Sequence, residues 1–277
     1  MTDVDIANLS LSLIAGKPIT AIDSTTVQGR AVLKWFAPTR DEILSAHPWD
    51  FATKRARSVA TWNTTITGAA NNGSGLIRIT VSTAHGLTTG YRVHIKDVQG
   101  VGNANGTWYV TVVDSTHFDL IDSVFSGGYV SGGSWILAPL FGWDYQYTLP
   151  ADFIRINKVN GLEGNQNDST PHVIEQGILL CDDTEIDYTY VYQHTTYANW
   201  PQFFINAFAF LLASNVAQEL TGPAGKALEM RKNYEQAISP QAMRRDSRQT
   251  KERRLLPLYD SQLVRSRWGF TTQPFLE

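Results

Sequence analysis

Between Thr65 and Ala138 the apolar residues of this chain recur every second position, whereas before the stretch, and again from Phe203 onward, they recur at helical spacing. A chain whose period changes twice cannot fold as one uniform layer, so the middle stretch is read as a β module spliced into a helical body. Leu76-Ile77-Arg78-Ile79-Thr80-Val81 and Trp108-Tyr109-Val110-Thr111-Val112-Val113 alternate cleanly, and turn residues separate the runs. The stretch holds 12 of the chain's 21 glycines, so short, numerous strands and a small barrel or sandwich are expected. Asn105-Gly106 predicts a tight turn, because both residues tolerate positive φ.

Two aromatic segments frame the module, His47-Pro48-Trp49-Asp50-Phe51 and Trp143-Asp144-Tyr145-Gln146-Tyr147-Thr148-Leu149-Pro150. Before them, Ile6, Leu9 and Leu13 predict a helix over Asp3–Ala15. From Thr25 onward, Val27, Ala31, Trp35, Ile43 and Leu44 predict a longer one, which Pro38 is expected to kink or divide. After the module, Tyr145 and Tyr147 share a strand face, as do Tyr188, Tyr190 and Tyr192, and the two strands are expected to pair through these faces. Pro201 suits the first turn of a helix over Phe203–Leu220, and Ala227, Met230 and Tyr234 form the stripe of the next. The expected fold is α+β: a helical bundle with a small antiparallel sheet, an inserted all-β domain and an extended C-terminal arm. Its parts are residues 1–64 (first half of the body), 65–138 (insert), 139–240 (second half) and 241–277 (arm).

With 43% hydrophobic and 18% charged residues over 277 positions, the chain can bury a substantial core. Its single cysteine, Cys181, excludes an intrachain disulfide and is read as a buried, inert thiol. The acidic start carries no secretory pattern. The apolar run Phe203–Ala217 falls short of the about 20 residues that span a bilayer, so no membrane is expected. Net charge is −3, yet Lys226–Trp268 holds 11 Lys and Arg against 5 Asp and Glu, so one end is basic.

Readable chemistry is sparse. Asp182, Asp183, Glu185 and Asp187 are the densest carboxylates, with His194 downstream, but an Asp-Asp-Thr turn accounts for them more simply than hard-cation binding or acid-base work. The six histidines form no zinc motif, and no phosphate loop, nucleophile elbow or dinucleotide fingerprint occurs. No catalytic residue, metal or cofactor is expected. The tyrosine faces read as core before they read as platforms for sugars or bases.

The order of helix, long helix, His47-Pro48-Trp49-Asp50-Phe51-Ala52, then Trp143-x-Tyr145-x-Tyr147-x-Leu149-Pro150-x-Asp152-x-Ile154-Arg155, sheet and Phe-rich helix resembles the tail tubular protein A family. These are the head-to-tail adaptors of short-tailed bacteriophages. The resemblance covers Asp3–Arg57 and about Gly142–Met230. In this light Trp49 and Phe51 pin the end of the long helix, Leu149-Pro150 turns the strand toward Asp152, and Arg155 pairs with a carboxylate. The inserted module departs from simpler members, and its His85-Gly86-Leu87-x-x-Gly90-x-x-Val93-x-Ile95 pattern resembles small β modules that decorate phage tail proteins.

The resemblance implies a structural virion protein made in the host cytoplasm. It would form a dodecameric ring at the head-tail junction, between portal and tail nozzle, through which genomic DNA passes without sequence-specific binding. The basic end then reads as a portal-docking arm, with Arg244, Arg245, Arg248, Lys251, Arg253 and Arg254 beside the apolar groups Leu255, Leu256, Tyr259, Trp268 and Phe270. Two rivals stand against it: a glycan-binding tail accessory with the β module as lectin, and a hydrolase using Asp183, Glu185 and His194.

Overall fold

A computed structural model of the chain describes residues 1–160, 170–221 and 224–247. Helix and strand are nearly balanced, at 34% and 31%. Two compact units divide the described residues. One draws on Met1–Lys54, Asp152–Asp168 and Thr189–Glu277, the other on Arg55–Ala151 and Ser169–Tyr188.

The first unit is mainly helical. Its opening helix α1 (Asp3–Leu13) starts in a capping box, with Thr2 and Asp5 exchanging side-chain and backbone hydrogen bonds. Thr26 caps α2 (Val27–Ala46), which runs unbroken through Pro38, so the helix is not divided as the proline suggested. Proline in a helix interior costs about 3 kcal/mol. Here Val32, Phe36, Ile43 and Leu44, all buried, bracket it and hold the helix against the core. The largest share of that core comes from α3 (Gln202–Thr221), whose Phe204, Phe208, Leu211 and Leu212 are fully buried. By length and composition α3 meets the criterion for a membrane span, contrary to the expectation of a shorter run. Its apolarity is explained by contact with α1, α2 and α4 (Ala224–Asn233), which pack around it.

A π turn over Tyr234–Ile238 leads into α5 (Ser239–Ser247). Residues 241–247 of the expected arm are therefore helix rather than extended chain. Ala242 and Asp246, one turn apart, are buried, while Arg244 and Arg245 are exposed.

The second unit is built on a six-stranded antiparallel sheet in the order β2-β3-β6-β5-β4-β7. The strands are β2 (Ile66–Asn71), β3 (Ile77–Val81), β4 (Arg92–Gln99), β5 (Gly106–Val112), β6 (His117–Leu120) and β7 (Ser131–Ala138). It is nearly closed. Tyr129 donates its hydroxyl hydrogen to the carbonyls of Ile66 and Gly132, at 3.2 and 2.9 Å, tying β2 to the start of β7. A Cβ at Gly133 would lie 3.0 Å from Ile66 Cβ, so the strand edges meet where glycine allows. Ile77, Ile79, Val93, Val110, Phe118 and Leu120 fill the interior.

Between β4 and β5 the chain turns through a 3-10 helix at Gly102–Ala104, not through Asn105-Gly106. Asn105 has φ −71°, and its side chain bonds both the N–H and the carbonyl of Val98. The amide acts as a clip across the loop rather than as a left-handed turn residue.

Two three-stranded sheets complete the fold, β1-β12-β9 and β10-β11-β8, with β1 at Thr53–Val59, β8 at Tyr145–Thr148, β9 at Phe153–Val159, β10 at Val173–Glu175, β11 at Ile178–Cys181 and β12 at Glu185–Tyr192. The tyrosine-bearing strands β8 and β12 lie in different sheets, so they do not pair as expected. Strand β8 takes β11 instead, with Tyr147 opposite Leu179 and Tyr145 opposite Cys181. An aromatic face is satisfied by any apolar neighbour, and Leu179 and Cys181 supply one.

Candidate functional site

The motif residues of the helical unit gather where α2 ends. A helix leaves its last four carbonyls without internal partners. Trp49 folds back and donates its indole N–H to the carbonyl of Ile43 at 2.8 Å, and Arg155, from β9, donates to that of Ser45 at 2.9 Å. The expected carboxylate partner of Arg155 is thus replaced by a helix end, which attracts a cation for the same electrostatic reason. Trp49 is completely buried, stacked at 6.2 Å on Phe203 and edge-on to Phe204 at 5.1 Å, and Phe51 packs on Phe204 at 4.7 Å. His47 lies edge-on to Trp49 at 4.8 Å. Pro48 sits between them and ends the helix, since the residue before a proline is steered away from helical geometry.

Asp152 accepts from Lys54 Nζ at 2.6 Å and from the Tyr190 hydroxyl at 3.1 Å, and these bonds, Lys54 first, hold its carboxyl below the usual range. Lys54 also stands over the Tyr192 ring at 3.8 Å. The other motif residues fall in the β unit. Tyr147 is buried with its hydroxyl on the Asp183 carbonyl at 2.7 Å, Leu149 is buried, and Pro150 is half-buried.

One residue of the junction escaped the sequence reading. Asp246, 1% exposed, accepts the backbone N–H of Asp50 through both oxygens, at 3.1 and 3.3 Å, and lies 3.2 Å from His47 Nε2. Burial pushes its carboxyl up to about 6, and burial also lowers the imidazole of His47. In the sequence Asp246 is one more charge in a polar stretch. The available signal was its one-turn spacing from Ala242, which puts both on the face that docks. Arg244 and Arg245 lie on the exposed side, and Arg248, Lys251, Arg253, Arg254, Leu255, Leu256, Tyr259, Trp268 and Phe270 lie outside the described residues.

The carboxylates that suggested hydrolysis do not converge. Arg57 grips Asp187 through two bonds of 2.7 and 2.8 Å and reaches Glu185 at 2.9 Å, Asp182 accepts the Asp144 N–H at 3.1 Å, and Asp183 accepts from the Thr170 hydroxyl at 2.8 Å. His194 belongs to the other unit, buried between Phe51 and Tyr192, and burial lowers its imidazole. Among the described residues no group of three or more His, Cys, Asp or Glu is placed to hold a metal ion. Cys181 is buried, and burial pushes its thiol up.

The β unit carries an open groove of about 610 Å³ lined by Trp62, His94, Lys96, Thr107, Tyr145 and Glu185, among others. His94 is locked between the Thr107 hydroxyl and the Asp144 carbonyl, both at 2.7 Å, and the Lys96 ammonium stands 4.1 Å over the Trp62 ring. The carbonyl can only accept, so Nε2 bears a hydrogen and donates it.

No protein-family model matches the chain, and no curated protein matches it significantly.

Proposed function

We propose that this protein is a head-to-tail adaptor of a short-tailed bacteriophage, a ring-forming virion component that joins portal to tail nozzle and leaves a passage for DNA. In this reading the helical unit is the adaptor body and the six-stranded unit is an insertion into it. The observation that carries the proposal is that Arg155, remote in sequence, arrives at the same helix end as the His47-Trp49-Phe51 cluster that follows that helix. These are residues on which the family resemblance rests, and a shared mechanical task explains why they occur together. They lock the helix end and, through Asp50 and His47, seat Asp246 of α5.

Such a junction transmits force and fixes the base from which the basic segment departs. No reaction step is assigned to the protein: its binding energy goes into contacts with sister copies and with portal. Purified protein imaged alone and mixed with its portal tests the reading, with a ring stacked on portal expected. A chain cut after Ser247 keeps the buried Ala242 and Asp246, and it is expected to retain the ring but lose the portal. A particle map that puts the protein anywhere other than the head-tail junction overturns the reading.

The groove favours a second reading, glycan binding by the β unit. One indole, one phenol, a locked imidazole and both signs of charge suit the mixed apolar and hydrogen-bonding surface of a sugar. Titration with host polysaccharide, saturable in the wild type and abolished by Trp62→Ala, is the outcome this reading requires.

A further inference from the structure

We infer that neighbouring copies are joined head to tail by an apolar knob on the β unit, Leu140-Phe141, entering an apolar socket on α3 and α4 of the next copy. The inference rests on the ring reading and names the contact that would build it.

The knob is a held loop. Between β7 and β8, Arg92 donates through Nη1 to the carbonyls of Pro139 and Trp143, at 3.3 and 2.7 Å, and through Nη2 to Asp144 Oδ1 at 3.2 Å. The Tyr109 hydroxyl donates to the Leu140 carbonyl at 2.7 Å. At the apex of this braced loop Phe141 is 79% exposed and Leu140 is 50% exposed. A large ring displayed on a pre-ordered backbone loses little entropy when buried, as in the aromatic hot spots of protein interfaces.

The socket holds about 420 Å³ and is lined by Ser214, Asn215, Gly225, Ala227, Leu228 and Arg231. Its polar groups are already engaged: Ser214 with the Leu211 carbonyl, Asn215 with Thr39, and Arg231 with Glu42 and Glu235. What is left to bind with is apolar, and Leu228 stands 71% exposed at the site. Nothing lies within 4 Å of the place a Gly225 Cβ would take, so the mouth is open there.

The exposed charges lean the same way. Asp144, paired on one side with the mostly buried Arg92, and Asp182, which accepts the Asp144 N–H at 3.1 Å, stand beside the knob, while Lys226 and Lys232 outnumber Glu229 around Leu228 on α4. Both halves belong to one chain, so each copy offers one knob and one socket. That is a heterologous contact, which propagates and closes into a ring when the rotation per subunit permits.

The test is disulfide capture in the full chain, with Phe141→Cys and Leu228→Cys introduced together in a Cys181→Ala background. Head-to-tail contact gives a denaturation-resistant, reducible ladder of dimer, trimer and higher species, and mixing the two single-cysteine variants gives heterodimer alone. As an independent readout, Phe141→Glu should raise the concentration needed for assembly at least tenfold while leaving the far-ultraviolet spectrum unchanged. If the wild type forms rings and the double-cysteine variant gives no ladder, this contact is overturned and the ring reading stands. If the wild type stays monomeric and the double-cysteine variant gives no ladder, both are overturned. Cross-linking that stops at dimer, or occurs within one chain, overturns the head-to-tail arrangement.

Discussion

The two units bury their apolar cores by opposite routes. In the helical unit Ile6, Ile43 and Trp49 meet Phe204, Phe208 and Met230, so the core exists only after the chain has left for the β unit and returned. In the β unit every residue of the main core lies between Ile66 and Trp135, and each strand of the six-stranded sheet pairs within residues 66–138. Loop-closure entropy opposes the first route more than the second, by about 0.6 kcal/mol for each doubling of the closed length. The difference teaches why the helical unit relies on large aromatic rings and specific hydrogen bonds at one junction, where the β unit relies on many β-branched side chains and on glycine at its closest approaches.

Trp49→Ala is the strongest test of that contrast. It removes a fully buried ring and the bond to the Ile43 carbonyl, and it should cost the helical unit about 3–5 kcal/mol. In a denaturant titration followed by unit-specific probes, the β-unit transition should stay where it is. If it moves equally, the two cores are not energetically separate.

Gly100→Ala is the converse and somewhat smaller. Gly100 has φ +88°, and a Cβ there would lie 2.0 Å from the Gly128 carbonyl oxygen, so the loop from β4 to β5 or the segment leading into β7 must shift. A loss of about 1–3 kcal/mol confined to the β unit is expected from the same titration. Equal stability of variant and wild type would mean that close backbone approach does not limit this unit.

The smallest effect separates the units by acid. Asp246 has its carboxyl near 6 in the fold against 3.8 in the open chain, so the folded helical unit holds more protons between those values. Its contribution to stability is complete below 3.8 and is lost as pH rises through 6. His47 and His194 act in reverse: burial lowers both from 6.5, so their contribution is complete above 6.5 and is lost as pH falls below it. Groups facing Asp246 and His47 include Asp50 and Arg155, which offset each other in part. Asp246→Asn removes the first effect and leaves the second, so from pH 6 to 4 the variant should lose stability relative to wild type by up to about 1 kcal/mol per pH unit. The β unit should stay flat in that window. Its displaced carboxylates, Asp114, Asp119 and Asp187, are held below 3.8 by hydrogen bonds, chiefly from the Thr116 backbone, Arg78 and Arg57 respectively, and weaken only in stronger acid. Parallel curves for variant and wild type would remove Asp246 from the junction.

Much of this architecture was legible in local pattern. The alternation in Ile77–Val81 and the helical spacing of Ile43, Leu44 and Trp35 each name their element, because burial on one face imposes a period on the residues themselves. Pairing was less legible. Tyr145 and Tyr147 announce an apolar face but carry no information about which strand covers it, and Leu179 and Cys181 did so in place of Tyr188 and Tyr190. Asp246 was hidden for a related reason, since its meaning depends on the Asp50 N–H and His47, which no residue near it in sequence foretells.

Sequence alone thus determined the mixture of helices and alternating strands and the buried Trp49 of the aromatic segment, because these follow from short-range backbone geometry and from the aversion of apolar side chains to water. Only the tertiary structure decided that Arg155 serves a helix end, that Asp246 is buried, and that a braced loop displays Phe141 while α4 leaves a socket open. Those outcomes depend on which distant groups arrive at one point in space, and that is set by the packing of the whole unit rather than by any segment's own preferences.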